Sequence, residues 1–237
     1  MKFTFQVIPC MRKKTSTRQS IIQAAIEVFS KNSFRRSNIS EIAQKANVAE
    51  GTIYKNFENK EDLFFSIPIE KTKEFTRELD LHLQGITGAV NKIRKFIWYY
   101  LHFFKMNPGY GRILMLEMRV SKRFTETETY NFLKRSTGRI LEVIEEGQAE
   151  NVIRKDTNRY LSRQLILGIL EHVVTRWLLN EGKYDLMEHY NEVTELVFHG
   201  ICNSQTQIPA MQGIAASEME MPSALNRNAV ESGASDT

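Results

Sequence analysis

Cysteine is scarce in this 237-residue chain: there are two, Cys10 and Cys202, near opposite ends and in no CxxC or Cys/His spacing. That excludes a disulfide framework and the usual zinc spacings, and it fits the reducing cytoplasm. Proline is rare at 5 and glycine modest at 12, which argues against a turn-dense all-β fold and permits long helices. No apolar run approaches the roughly 18–20 residues that span a bilayer, so no membrane partner is expected. The opening MKFTFQVIPC holds one Lys and a short stretch interrupted by Thr and Gln. It is too brief and polar for the core of a signal peptide, and a basic run follows. Met11 is a candidate alternative start. Catalytic groupings are also missing. No Ser/His/Asp or Cys/His constellation is present, and His82, His102, His172, His189 and His199 are scattered, none at metal-ligand spacing from another. The chain is therefore read as no enzyme, with no catalytic or metal site and no cofactor.

What is present is charge, unevenly placed. Residues 1–60 carry 11 Lys and Arg against 4 Glu, a balance of +7. Residues 61–202 carry 20 of each sign, and residues 203–237 one basic against four acidic, so the net +4 is an N-terminal excess. A basic quarter on a neutral body is the electrostatic footprint of a nucleic-acid-binding module. On charge alone, a solvated basic tail explains it equally well.

Periodicity is helical from Thr17 to about Cys202. Ile21, Ile22, Ala25, Val28 and Phe29 recur at helical spacing behind the capping cluster Thr15-Ser16-Thr17. This helix should end near Lys31-Asn32. Asn38, with Glu41 three residues on, opens a second short helix with Ile42, Ala43 and Ala46 inward. Asn47-Val48-Ala49 makes a tight break, and a third helix runs from about Glu50 to Phe57 with Ile53 and Phe57 inward. Two short helices joined by so tight a turn form a helix-turn-helix.

The stretch from Ile39 to Leu63, ISEIAQKANVAEGTIYKNFENKEDL, closely resembles the DNA-binding signature of the TetR family, with Ile-Ala, Ala-x-Val, Gly-Thr-x-Tyr, Phe and Lys-x-x-Leu in order. The resemblance covers roughly residues 15–65. Asn47 stands where a Gly is usual and Asn56 where an aromatic is usual; Asn tolerates the left-handed backbone such a turn needs. The family implies an all-α fold, a three-helix DNA-binding domain joined to a larger helical ligand-binding and dimerisation domain. It also implies a palindromic operator in double-stranded DNA as partner. Within the unit, Gly51 lets the third helix approach the DNA backbone closely. Tyr54 donates its hydroxyl to a phosphate, or serves as packing. Lys55 and Lys60 neutralise phosphates. Thr52, with Ala49 and Glu50, reaches base edges, unless Glu50 only answers the helix dipole. Ser37 and Asn38 cap the second helix beside the opposite strand.

The rest of the chain is expected to sense a ligand and to dimerise. A linking helix covers Lys60 to about Leu83, kinked or divided at Pro68. Further helices are expected at Asn91–Lys105, Arg112–Val120, Thr125–Gln148, Asn158–Asn180 and Asp185–Gly200. Trp98 and Phe103, in an aromatic-dense helix, with Arg112 and Arg119, are candidate pocket residues; plain core is the competing reading of the rings. Glu117 and Arg119 are equally read as an internal ion pair. The order Asn107-Pro-Gly, Leu116-Glu-Met-Arg119, Ile144-Glu-Glu-Gly147, then Arg163, Gly168 and Trp177, is similar to fatty-acid-responsive members of the family, which bind long-chain acyl-CoA. The resemblance implies an acyl-CoA effector; another small hydrophobic molecule is the alternative, and no effector a third. Leu161, Leu165, Ile169, Val173 and Trp177 on one helix, with Leu186, Val193, Leu196, Val197 and Ile201 on the other, are expected to form an intermolecular four-helix bundle in a homodimer, unless they bury within the monomer. The resulting organisation is a DNA-binding domain at 12–60, an effector and dimerisation domain at 61–202, and a Ser-, Ala- and Asn-rich tail at 203–237, read as disordered. The rivals are a helical enzyme or lipid carrier, and a sequence-indifferent DNA-compacting protein.

Overall fold

The computed structural model describes residues 16–204 and 206; the readings of Thr15, Cys10, Met11 and most of 203–237 lie outside them. The chain divides into two compact units between Phe64 and Phe65, where the sequence placed the boundary at residues 60/61.

In the first unit, helix α1 (Thr17–Arg36) opens on a reciprocal capping box. The Ser16 hydroxyl accepts from the Gln19 N–H at 3.2 Å, and Gln19 Oε1 accepts from the Ser16 N–H at 3.2 Å. Its apolar face, Ile21, Ile22, Ala25, Val28 and Phe29, is buried as the periodicity implies. Regular geometry stops at Ser33, whose φ of 63° and ψ of 161° break the helical path one residue past the expected end. A last turn, Phe34–Arg36, follows. Helix α2 (Ile39–Lys45) is capped by Asn38, which accepts from the Glu41 N–H at 2.8 Å. The second arm of a capping box is replaced: the Glu41 carboxylate accepts from Asn32 Nδ2 at 3.4 Å. Asn47 adopts φ 53°, the left-handed conformation its turn requires.

Helix α3 (Glu50–Tyr54) stops short of the expected Phe57. The cause is Asn56. Its side chain donates to the Thr52 carbonyl at 2.8 Å, occupying the acceptor its own N–H would take in a continuing helix. The Asn56 N–H turns to the Ile53 carbonyl at 2.9 Å, closing a tighter turn. Ile21, Phe29, Ile42, Ile53, Phe57 and Leu63 form the small core of the unit.

Helix α4 (Lys60–Leu83) contains Pro68 without being divided by it. The second unit is built on α5 (Ala89–Met106), buried along most of its length and packed against several later helices. After it come the short helix α6 (Pro108–Gly111), a π-helical stretch Arg112–Met118 and a 3-10 turn Lys122–Glu126. The helix expected across Thr125–Gln148 is two, α7 (Glu128–Ser136) and α8 (Gly138–Ala149). Ser136 and Thr137 turn their hydroxyls back onto the Leu133 and Lys134 carbonyls at 2.7 and 2.8 Å, and a glycine follows, so the helix breaks there. Helices α9 (Arg159–Leu179) and α10 (Tyr190–Ile201) complete the unit. Gly147 is needed for packing, since a Cβ there would lie 2.5 Å from Ile153 Cδ1 and 2.9 Å from Ala89 Cβ. Among the described residues the one extended pairing is an isolated bridge between Ile153 and Cys202.

Candidate DNA-reading unit and effector cavity

On the first unit, α3 presents an outward face of small and polar residues. Tyr54 is 54% exposed with its ring in solvent, which disfavours the packing reading. Lys55, Gly51 and the capping residue Ala49 are exposed, and Thr52 is half-buried. No atom lies within 4 Å of a Cβ placed on Gly51, so packing within the chain does not require that glycine. Asn38 is exposed at the start of α2. Glu50 is exposed but tied to the Ser40 hydroxyl across the α2–α3 turn, so the carboxylate braces the turn.

Two expected DNA contacts are corrected. Ser37 is 3% exposed, and its hydroxyl donates to the Ser33 carbonyl at 2.7 Å. Lys60 turns inward: its ammonium donates to the Phe34 and Ser37 carbonyls at 3.0 and 2.8 Å and sits 4.6 Å from the Phe34 ring centroid. A cation on the last carbonyls of α1 answers that helix's negative end. Sequence reasoning also missed Arg18, which donates to the Asn56 carbonyl at 2.9 Å and stacks on Phe57 at 4.3 Å.

The second unit holds an apolar cavity of about 90 Å³. Its walls are Thr72, Phe75 and Leu79 of α4, Phe96, Tyr100, Phe103 and Phe104 of α5, and Tyr110, Leu114, Ile140 and Leu167 beyond. Phe103 and Arg119 line it as expected. Trp98 and Arg112 do not. Trp98 stacks on His102 at 4.9 Å and meets the edge of His82 at 5.5 Å, elsewhere on α5. Arg112 begins the π-helical stretch, half-buried and outside the lining. Arg119 is ion-paired with Glu171 of α9, where both edge the cavity. Burial raises the pKa of Tyr100 and of Tyr110, which also bonds to Thr72, so both rings stay neutral phenols in the wall. Against α5 outside the cavity, the Tyr99 hydroxyl donates to Glu78 at 2.8 Å, and burial holds that carboxyl above its ordinary range.

The apolar residues assigned to dimerisation separate into an exposed and a buried set. Leu165 is exposed and Ile169 and Val173 are half-buried, but Trp177, Val193 and Val197 are buried inside the unit. Steps of four advance about 40° around a helix. A walk from Leu165 to Trp177 therefore crosses from the outer to the inner face of α9. Of the expected residues, Leu161 and Leu165 face outward on α9, in line with Gly168 and Leu179, and Leu196 of α10 is exposed at 63%.

A three-helix unit with a helix-turn-helix, ahead of a larger helical unit with an apolar cavity, is the architecture of a DNA-binding transcription regulator. Residues 21–67 match the model of the bacterial regulatory proteins of the tetR family, and residues 69–200 match that of the C-terminal region of YsiA-like proteins. The chain belongs to the tetR family of DNA-binding transcriptional regulators. It is 32% identical over 193 residues to the fatty acid metabolism regulator protein of Bacillus subtilis (strain 168), across 81% of this chain and 100% of that protein. Among solved structures it is similar to the fatty acid degradation regulator FadR from Bacillus halodurans, with TM-score 0.75 and 28% identity over 80% of this chain and 98% of that one. It is also similar to the transcriptional regulator FadR from Bacillus subtilis in complex with stearoyl-CoA, with TM-score 0.72 and 31% identity over 77% of this chain and 98% of that one. Among the described residues no helix is long and apolar enough to cross a membrane.

Proposed function

We propose that the protein is a cytoplasmic, non-catalytic repressor that binds a palindromic operator as a homodimer and is released by a long-chain acyl-CoA. The aromatic cavity of the second unit, with a charged Arg119–Glu171 pair at its edge, carries the effector reading. An apolar chain suits the rings, and a polar head suits the charged edge. The resemblance to a regulator solved with stearoyl-CoA supports the same ligand class. The exposed stripe on α9 and α10 supports the dimer, because four leucines in water favour burial against a second copy.

The mechanism needs two states that differ in affinity for the ligand. A volume of about 90 Å³ is well below the roughly 300–1,000 Å³ typical of ligand pockets, so a long acyl chain requires the cavity to enlarge. An acyl chain that fills an enlarged cavity favours a second arrangement of α4, which carries cavity residues and begins at Lys60. A changed α4 alters the spacing of the two reading heads, which must sit about 34 Å apart to use successive major grooves.

The test is binding of the purified protein to DNA from upstream of its own gene, against shuffled DNA, with and without stearoyl-CoA. Preference for the upstream DNA that stearoyl-CoA abolishes is the expected result. Preference unaffected by it would remove acyl-CoA as effector, and equal binding to both DNAs would favour a DNA-compacting protein.

A further inference from the structure

We propose that Arg18 is a positioning residue for operator recognition: from α1 it clasps the end of α3 and fixes the tilt at which that helix meets the bases. The proposal rests on reading α3 as the helix that enters the DNA groove. That helix is only five residues long, and its capping residue Ala49 supplies no side-chain hydrogen bond. A helix so short has little stability of its own, so its orientation is set by tertiary contacts. Ile53, 1% exposed, pins its middle in the core, which leaves the tilt to whatever grips its ends. At the first end the Glu50 carboxylate accepts from the Ser40 hydroxyl. At the other, the Arg18 guanidinium donates to the Asn56 carbonyl at 2.9 Å and lies 4.3 Å from the centroid of the Phe57 ring.

Both the position and the reach of Arg18 single it out. It grips a carbonyl and a ring of one segment together, which a planar guanidinium can do and a compact ammonium cannot. It sits in the first turn of α1, where a cation opposes that helix's own dipole, so α1 does not explain it. Set against a carbonyl just past the end of α3, the same charge is favourable. The grip also reaches a residue read as touching base edges. The Asn56 side chain donates to the Thr52 carbonyl at 2.8 Å, which joins Arg18 to the backbone of Thr52 through Asn56. Phe57 is 2% exposed, so the clasp ties the reading helix to α1 and to the core of the unit. A tilt of α3 displaces Thr52 from the base edges but leaves the lysines and arginines near the phosphates. Loss of the clasp therefore lowers preference for the operator and spares sequence-independent binding.

The experiment enriches duplexes from a random-sequence library with the full-length wild-type protein. Fluorescence anisotropy then gives the ratio of affinities for the enriched duplex and for a shuffled one. Arg18→Lys, which keeps the charge, is expected to lower that ratio about tenfold, the discrimination of one good base contact. Its affinity for the shuffled duplex should stay within about twofold of wild type. Arg18→Met is expected to do the same with an unchanged salt slope, whereas a lost phosphate contact would remove about 0.9 from the slope per protomer. Arg18→Lys alone decides if Arg18→Met does not melt cooperatively. A ratio within about twofold of wild type for Arg18→Lys, or a loss shared equally by both duplexes, would overturn the clasp while leaving α3 as the reading helix. Absence of any enriched sequence with wild type would overturn both.

Discussion

Replacing Lys60 and Lys55 separately by methionine distinguishes a lysine that holds the reading unit together from one that faces DNA. Lys60 donates to two carbonyls, at 3.0 and 2.8 Å, and lies over the Phe34 ring at 4.6 Å. Hydrogen bonds from a charged donor contribute about 1.5–3 kcal/mol each when well shielded, and a cation over a ring about 0.5–1 kcal/mol at exposed sites. The site is half-buried, and methionine keeps most of the apolar stem, so the loss for Lys60→Met is about 2 kcal/mol. For a chain of this size that corresponds to a fall in Tm of about 4–8 °C. Lys55 is exposed on α3, and Lys55→Met should change stability by no more than about 0.5 kcal/mol. Its effect appears instead in the salt dependence of DNA binding. Each phosphate contact contributes about 0.9 to the slope of log K against log salt, so a dimer losing two contacts loses about 1.8. Fluorescence anisotropy of a labelled duplex between 50 and 200 mM salt measures the slope, and differential scanning fluorimetry the Tm. If Lys60→Met melted like wild type and flattened the slope as Lys55→Met does, the inward role of Lys60 would be refuted.

At the helix-turn-helix turn, Asn47→Val should cost about 1–2 kcal/mol, because a branched residue opposes the left-handed backbone, whereas Asn47→Gly should stay within about 0.5 kcal/mol; equal melting of the two variants would contradict this. Leu165→Asp is expected to give a folded monomer in sedimentation equilibrium, while Val197→Asp, 1% exposed, should abolish cooperative melting; a folded monomer from both would reverse the division of that surface. His82 is 4% exposed with neither ring nitrogen hydrogen-bonded, and burial, then Lys95 and His102, lower its pKa to about 4. The unfolded chain takes up this proton near pH 6.5 and the folded chain only near 4, so stability is full above 6.5 and falls toward 4, by up to about 3 kcal/mol. His82→Leu should raise Tm at neutral pH and flatten that decline in urea titrations; an unchanged pH profile would count against it.

Where structure follows from neighbouring residues, the sequence was readable. The Asn38 cap, the left-handed Asn47 and the apolar face of α1 each depend on residues within about one turn. The inward placement of Lys60 was not legible because it bonds across 23 and 26 residues, and that of Ser37 because its hydroxyl answers the Ser33 carbonyl only once α1 breaks at Ser33. Both look like surface polar residues until α1 is seen to end beside them. Trp98 and Phe103 could not be told apart because both fall in the buried aromatic run of α5, and only tertiary packing decides which rings meet the cavity. Phe75 carried no signal at all, being one phenylalanine in a charged stretch of α4. The α9 stripe was blurred by reading steps of four; Leu165 and Leu179, two steps of seven apart, stay on one face.

The outward leucines on α9 and α10 also bear on how the protein responds to its own abundance. If two copies must meet to cover them, the folded form is stabilised by mass action, and melting will rise with protein concentration. At copy numbers below the dimer dissociation constant, operator occupancy then scales with roughly the square of the amount of protein made. A cell that halves its synthesis would lose about three-quarters of its repression at such low copy numbers. Leu161, Leu165, Leu179 and Leu196 would thus set the steepness of the genetic switch without touching DNA or ligand.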